Sequence, residues 1–344
     1  MQVIYALTDY KGHFGSKWGA EPYRSGYNKK HLRELFNLEG YEIEYVQFKD
    51  VDLSLDWSSS TVIYTSSEEV GLKYKDFIED VILYLEKSGA NVIPGYEFLR
   101  ANNNKVYMEL LRNRVLGEEI SGLKSLIYGS LEELYDDFEQ DKIKLPAVIK
   151  KAAGAMSRDV YLANTKEELF KHAKKIARTR NILLEWKELI RQKKHMGYKA
   201  ESKYQNKFIL QSFISNLKND WKILIYGDRY YILKRGIRKG DFRASGSHYH
   251  YAAGSDSEFP IEMLDTVEKI YNKLNVPNVS IDFAYDGYKG YLFELQAINF
   301  GTSTLTYSED FFTKKAGRWI VEKKKNDQEQ EYVYSIIHYL KRNT

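Results

Sequence analysis

Two carboxylates and an amide sit on neighbouring short apolar runs late in the chain. Asp282 lies within residues 279–284, and Glu294 and Gln296 lie in or just beyond residues 291–295. The segment between them, Asp286-Gly287-Tyr288-Lys289-Gly290, has the Gly and Asp content of a hairpin loop. The spacing therefore predicts a β-hairpin with one carboxylate on each strand. Side chains two residues apart share a strand face, which puts Gln296 beside Glu294. Such an all-oxygen set suits a hard cation such as Mg²⁺, which is commonly held by one or two carboxylates plus nucleotide phosphates. The same alternation also fits the solvated face of an edge hairpin, and this stretch alone does not choose between the two.

Cationic residues at the ends of other apolar runs suit phosphate. Lys150 closes the run 144–150 and precedes a small-residue loop, Ala152-Ala153-Gly154-Ala155-Met156-Ser157. A lysine supplies a point charge there, and loop amides can approach an anion closely. The loop is not a Walker A motif, because GxxxxGK[ST] is absent. Lys105 follows Asn102-Asn103-Asn104, a favoured helix cap, and opens a helix over 106–117. A cation in the first turn opposes the helix dipole, which either a phosphate at Lys105 or plain solvation accounts for. Arg235, Arg238, Lys239, Arg243 and His248 fall within 14 residues directly after the run 229–234. Arginine there could hold carboxylate or phosphate with both arms of its guanidinium.

The scaffold that must position these groups has 344 residues, enough for two or three domains of ~150 residues each. An apolar fraction of 43% can build real cores. No run approaches the ~20 apolar residues of a membrane span, and the N-terminus lacks the pattern of a signal peptide. The expectation is a cytoplasmic protein with no membrane partner. The absence of cysteine excludes disulfides, zinc–thiolate sites and a cysteine nucleophile. With 52 basic against 48 acidic residues there is no dense basic stripe, so no nucleic-acid partner is expected. The 29 tyrosines are read as compositional bias rather than as a base-stacking platform.

Taken in order, the chain predicts a strand over 3–7, then a polar loop over 10–27 with Gly12, Gly15, Gly19 and Gly26 and with Lys11, His13, Lys17 and Arg24. A helix over 29–38, strands over 41–48 and 61–65, a helix over 72–87 and a strand over 91–93 follow. Alternating strands and helices imply a parallel α/β layer. The glycine-rich loop after the first strand is a usual ligand position, and it fits a plain surface loop equally well. Helices are expected over 131–140 and 165–176, the latter with Thr165 and Glu168 as a capping pair. A basic helix over 183–200 reads as an insertion with a solvated face. A strand over 208–214 (FILQSFI), a hairpin of 221–226 and 229–234 around Gly227-Asp228, and a helix over 261–274 complete the pattern. Residues 322–331 read as an exposed turn or helix start.

Taken as a set, these residues resemble the ATP-grasp superfamily, and within it the RimK-like carboxylate–amine ligases. The resemblance rests on Lys105, Lys150 with its glycine loop, FILQSFI, Asp220-Trp221-Lys222, Gly227-Asp228 and Arg235. It also rests on Phe242-Arg243, with Arg243 eight residues after Arg235, and on Asp282 twelve residues before Glu294-Leu295-Gln296. It covers roughly residues 105–306 and, by architecture, the first domain. Three positions depart from the family pattern: Lys222 and Gln296 stand where Arg and Asn are usual, and Ser245 where related chains carry Asn.

The resemblance implies an α/β (α+β) fold: a pre-ATP-grasp α/β domain over 1–100 and an ATP-grasp domain over 101–344. The latter would divide into a lid subdomain, 143–214, and a C-terminal subdomain, 215–344, with the metal site. It implies ATP with Mg²⁺ or Mn²⁺. Lys105, Lys150 and Ser157 would meet the phosphates. Gln211, Ser212, Phe213 and Ile214 would form the hinge, with backbone groups of Ser212 and Ile214 on the adenine edge. Asp282, Glu294 and Gln296 would hold the metal, and Arg235, Arg243 and Lys222 would be the catalytic cations. The implied reaction joins a small-molecule carboxylate to an amine through an acyl phosphate. A kinase on the same scaffold and an inactive ATP-binding protein are the alternatives. The FRASG segment and the ELQA-x-N-F-G-T end also resemble ATP-grasp proteins of bacterial surface-polysaccharide pathways, which implies amidation of a uronic acid or a similar precursor.

Overall fold

The computed structural model of the chain describes residues 2–154, 159–179, 182–244 and 249–343. Ser157, Ser245 and His248 lie outside the described residues. The chain forms two compact units, one of Met1–Asn102, Leu111–Gly122 and Leu217–Thr344, the other of Asn103–Leu110 and Leu123–Asn216. Parallel and antiparallel sheets combine with helices in the mixed α/β class expected from the sequence.

The first unit begins with β1 (Gln2–Thr8), α1 (Lys29–Leu38), β2 (Tyr41–Gln47), β3 (Thr61–Tyr64), α2 (Lys73–Lys87), β4 (Asn91–Ile93) and α3 (Tyr96–Ala101). The four strands pair in parallel in the order β2-β1-β3-β4. Helix α1 starts where it does because the Asn28 side chain accepts from the amides of Lys30 and His31 at 3.1 and 3.2 Å. The glycine-rich loop after β1 is neither an open cradle nor a loose surface loop. A Cβ on Gly26 would lie 2.1 Å from the Phe14 carbonyl oxygen. The Gly15 amide donates to Thr65 Oγ1 at 3.2 Å, and the Ser16 hydroxyl donates to the Phe300 carbonyl at 2.9 Å. A cavity of about 40 Å³ beside the loop, lined by Ser16, Thr65, Ser66, Asn299, Phe300 and Thr302, is too small for a substrate.

The second unit contains the start of α4 (Lys105–Ser121), then β5 (Ser125–Tyr128), α5 (Leu131–Glu139), β6 (Ala147–Lys151), β7 (Val160–Ala163), α6 (Lys166–Ala177), α7 (Ile182–Lys194) and β8 (Phe208–Ser212). Its strands form an antiparallel sheet in the order β5-β8-β6-β7. Leu134, Ile149, Leu169, Phe170 and Phe208 share its core. Helix α7 stops at Lys194, six residues short of the expected end at 200, and Gly197 nearby takes a φ of 80° that favours glycine.

The first unit resumes with β9 (Asn219–Tyr226), β10 (Arg229–Gly236), β11 (Ala252–Ala253), α8 (Ile261–Leu274), β12 (Asn278–Tyr285), β13 (Gly290–Gln296), α9 (Ser303–Tyr307), β14 (Asp310–Lys315), β15 (Arg318–Lys323) and α10 (Gln328–Asn343). Six of these strands run β13-β12-β9-β10-β14-β15, with β11 paired to β10. On one sheet face Leu224, Tyr226 and Tyr231 cluster with Phe300, Leu305 and Phe311. The charged ends of β9, β10, β12 and β13 extend the same alternation. Helix α10 joins the core of the parallel sheet, where Val333, Ile336, Ile337 and Leu340 meet Ile4, Leu32 and Phe36. The helix start expected within 322–331 is present at Gln328, but two of its acidic residues are not exposed. Glu329 and Glu331 are buried, and each is paired, to Lys17 at 2.7 Å and to Arg229 at 2.8 Å.

The β12–β13 hairpin tolerates no side chain at Gly290, where a Cβ would lie 2.3 Å from the ring of the buried Phe283. Gly290→Ala should therefore cost about 1–3 kcal/mol, as overpacking does. Urea unfolding of the two proteins checks this; an unchanged midpoint would refute the packing of the hairpin against Phe283.

Candidate active site

The two-residue turn Gly227-Asp228 fixes the register of β9 and β10, pairing Tyr226 with Arg229 and, at the far end, Asp220 with Arg235. Directly opposed residues project from the same sheet face. Arg235 is 5% exposed. Its Nε donates to Asp220 Oδ1 at 2.7 Å and its Nη2 to Oδ2 at 2.9 Å. The same Nη2 lies 3.1 Å from Asp282 Oδ2. The Nε–Nη2 edge of the guanidinium is thus engaged with two carboxylates of its own sheet.

Asp282 is paired in register with Lys222 on one side and Glu294 on the other. One row across β9, β12 and β13 therefore reads Lys222, Asp282, Glu294. The pairing of β12 with β13 shifts after Asp282, so that Phe283 opposes Leu292 and Phe293 is the extra residue. This bulge re-aims the strand and keeps Glu294 opposite Asp282. Gln296 follows on the same face, its Nε2 3.5 Å from Glu294 Oε1. The hairpin loop is held by Asp286, whose carboxylate accepts from the amides of Tyr288 and Lys289 at 2.8 Å each.

Electrostatics follow from this crowding. Burial pushes the Asp220 carboxyl up, the Arg235 guanidinium pulls it down, and the like charge of Asp282 adds to a rise that ends at about 6. Burial also pushes the Lys222 ammonium below its usual range, while Asp282 pulls it back up. The Arg235 guanidinium is held well above its ordinary value: burial opposes this, but Asp282 and Asp220 outweigh it. With Arg235 and Lys222 set against Asp220, Asp282 and Glu294, one negative charge is left over. That balance fits a cation better than a bare phosphate. Among the described residues no group of three or more His, Asp or Glu side chains could hold an ion alone. Two carboxylates and an amide oxygen do fit Mg²⁺ when phosphates complete its shell.

The residues predicted to meet the nucleotide lie in the second unit. Lys105 is buried, and its Nζ donates to the Gly154 carbonyl at 2.9 Å. The Gly154 amide in turn donates to the Asn103 side chain at 2.7 Å. The start of α4 thus anchors Gly154, just after β6. Lys150 sits near the end of β6, opposite Val160 and Ile209. Gln211 turns its side chain inward, where Nε2 donates to Glu109 Oε1 at 2.8 Å. The Ser212 amide donates to the Lys124 carbonyl at 3.1 Å, so that donor already has a partner. β8 ends at Ser212, and Phe213 and Ile214 continue as irregular backbone.

The remaining predicted cation, Arg243, lies after β10 in the chain. Arg243 meets Asp241 of its own turn, with Nε 3.0 Å from Oδ1 and Nη2 3.1 Å from Oδ2. Two residues went unassigned in the sequence. Asp220 was legible, since counting back from the Gly227-Asp228 turn puts it opposite Arg235. Glu68, in the loop after β3, had no signal. Burial raises its carboxyl against hydrogen bonds from Asn299 and Asn102, and Asn299 is three residues beyond Gln296.

No protein-family model matches the sequence, and no curated protein matches it. Solved structures do match. The D-cycloserine synthetase DcsG aligns over 98% of this chain and 99% of its own, with 12% identity and a TM-score of 0.55. The ATP-grasp ligase PsnB, solved with minimal precursor, Mg and ADP, aligns over 98% of both chains, with 12% identity and a TM-score of 0.52. The chain has the ATP-grasp fold. Within that ATP-grasp fold, the acidic and cationic row lies on the antiparallel sheet of the first unit, and Lys105 and Lys150 lie in the second.

Removing Asp220 would leave a buried, permanently charged guanidinium with one carboxylate in place of two. Asp220→Ala should destabilise the protein by about 3–5 kcal/mol, the usual cost of breaking a buried pair. Denaturant unfolding measures it. A loss no greater than that of a surface substitution would rule out the fork between Arg235 and Asp220.

Proposed function

We propose that the chain is an ATP-dependent carboxylate–amine ligase that forms an amide through an acyl phosphate. The observation that carries this reading is the row Lys222, Asp282, Glu294 beside the buried Arg235, which combines hard oxygen donors with fixed positive charge on one rigid sheet. The ATP-grasp fold supports it, since PsnB is an ATP-grasp ligase and DcsG a synthetase.

In this reading Lys105 and Lys150 hold the phosphates of ATP. The backbone at Ser212 and Ile214 holds the adenine, with the Ser212 contribution falling to its carbonyl because its amide is engaged. Asp282, Glu294 and Gln296 hold Mg²⁺, which neutralises phosphate charge when bound. An oxygen of the substrate carboxylate attacks the γ-phosphorus and ADP leaves. The amine nitrogen then attacks the acyl carbon, phosphate leaves and the nitrogen gives up a proton. Such transfer depends on positioning and charge stabilisation. Arg235 acts by holding Asp282 in place through Nη2. Lys222 and Arg243 are the cations for the transferring phosphoryl group and the acyl phosphate. For Arg243 this means exchanging the Asp241 carboxylate for an anionic substrate group of similar shape. The acid to be activated is a uronic acid of a surface-polysaccharide precursor or an amino acid, a choice supported only by the sequence resemblance.

Two measurements test this. Asp282→Asn and Glu294→Gln should each abolish Mg-ATP turnover while the unfolding curve stays cooperative; full activity in either would remove the metal assignment. A screen of carboxylates and amines for ATP-dependent phosphate release should find a pair. With that pair, ¹⁸O in the carboxylate should pass into phosphate. Turnover without label transfer, with a phosphorylated product, would make the enzyme a kinase.

A further inference from the structure

Helix α7 presents its apolar face to solvent. Ile182, Trp186, Leu189 and Ile190 recur at helical spacing on one side, with Leu183 at its edge. These five residues are between 54% and 76% exposed. The side turned toward the protein is the acidic one. Glu188 is buried, with its carboxylate accepting from the Tyr198 hydroxyl at 2.7 Å and from the Glu201 amide at 3.2 Å, and it pairs with Arg191 at 2.5 Å. Glu185 lies 3.8 Å from Arg178 and 3.4 Å from Lys203. Both acids of the helix are thus neutralised from within. Lys187 and Lys194 border the apolar face, Lys193 lies one turn beyond Leu189 and Ile190 at its C-terminal end, and among the described residues no carboxylate pairs with any of the three. The expected solvated face is present, and it carries large apolar residues as well as lysines.

We propose that α7 is a membrane-surface anchor that lies flat on an anionic bilayer. Its 13 residues span about 20 Å, too short to cross a bilayer and suited to lying in its interface. Trp186 at the centre of the apolar face and lysines at its border are the pattern of an interfacial helix. Charge selects the occupant. A second copy of the chain would bring the same unpaired ammonium groups face to face, whereas anionic headgroups neutralise them.

The test is sedimentation of the full chain with vesicles of phosphatidylcholine alone or mixed with phosphatidylglycerol. Binding is expected to the mixed vesicles, weakening with salt. Replacing the three lysines together (Lys187→Gln, Lys193→Gln, Lys194→Gln) should lower partitioning roughly a hundredfold, at about 1 kcal/mol per lysine. Trp186→Glu with Leu189→Glu should lower it by at least about tenfold. All five substituted residues are exposed, and ATP affinity should be unchanged in both variants. No binding to the mixed vesicles, equal binding to both kinds, or binding that survives both variants would overturn the anchor. So would self-association that Trp186→Glu abolishes in a chain that ignores vesicles.

Discussion

A buried guanidinium cannot shed its proton, so the structure around Arg235 has to supply negative charge or give up the burial. Two strands meet that demand. The hairpin register brings Asp220 to Nε and Nη2 of the guanidinium, and the pairing of β12 with β9 brings Asp282 to the same Nη2. The constraint extends outward from there. Because Asp282 is fixed by Arg235, Glu294 opposite it has a fixed neighbour, and the bulge at Phe293 is what keeps that opposition in register. An electrostatic requirement at one residue thus sets the geometry of a row spanning three strands.

A second buried carboxylate does comparable work at the other sheet of the first unit. Glu329 of α10 accepts from Lys17 and from the Asn28 amide at 2.9 Å, while Gln328 donates to the Trp18 carbonyl at 3.0 Å. The glycine-rich loop is therefore tied to the last helix of the chain. Asn28 both caps α1 through its side chain and meets Glu329 through its backbone, so the loop's end and the helix's start are determined together. The small cavity beside the loop is what remains after this strapping, and its polar lining belongs to the packing.

Much of this was legible, and the limits are physical. Local hydrogen-bond geometry fixes hairpins, so the Asp220–Arg235 pair follows from counting outward from Gly227-Asp228, and the Asp282–Glu294 pair follows within one residue. That residue matters, because an unbulged hairpin would have turned Glu294 to the opposite face. The pairing of Asp282 with Lys222 joins positions sixty apart in sequence, and no local pattern announces it. Helix α7 shows a different limit. Periodicity reveals that a helix has an apolar side, but not whether the protein covers it. Here the buried Glu188 decides the orientation, and a carboxylate inside an amphipathic helix ordinarily reads as solvent-facing. The acidic start of α10 misleads for the same reason: Glu329 and Glu331 have partners in residues 17 and 229, too distant to be read from the charge run itself.

The departure from the family pattern at position 222 takes on a physical meaning in this setting. Arginine there would bring a second planar fork to Asp282, which already gives one oxygen to Arg235, and the two guanidinium groups would compete for it in a crowded, poorly solvated row. Lysine brings a single point charge on a flexible stem, which both Asp282 and Glu294 attract. Burial already weakens its hold on the proton. In the proposed reaction an ammonium group of this kind would follow an anion as charge moves from carboxylate to phosphoryl oxygen, whereas a fork is committed to one planar partner. In the proposed reaction the fixed arginine and the adaptable lysine would divide two tasks along the same row: Arg235 holds the carboxylate framework still, and Lys222 would be the cation that responds to what binds beside it.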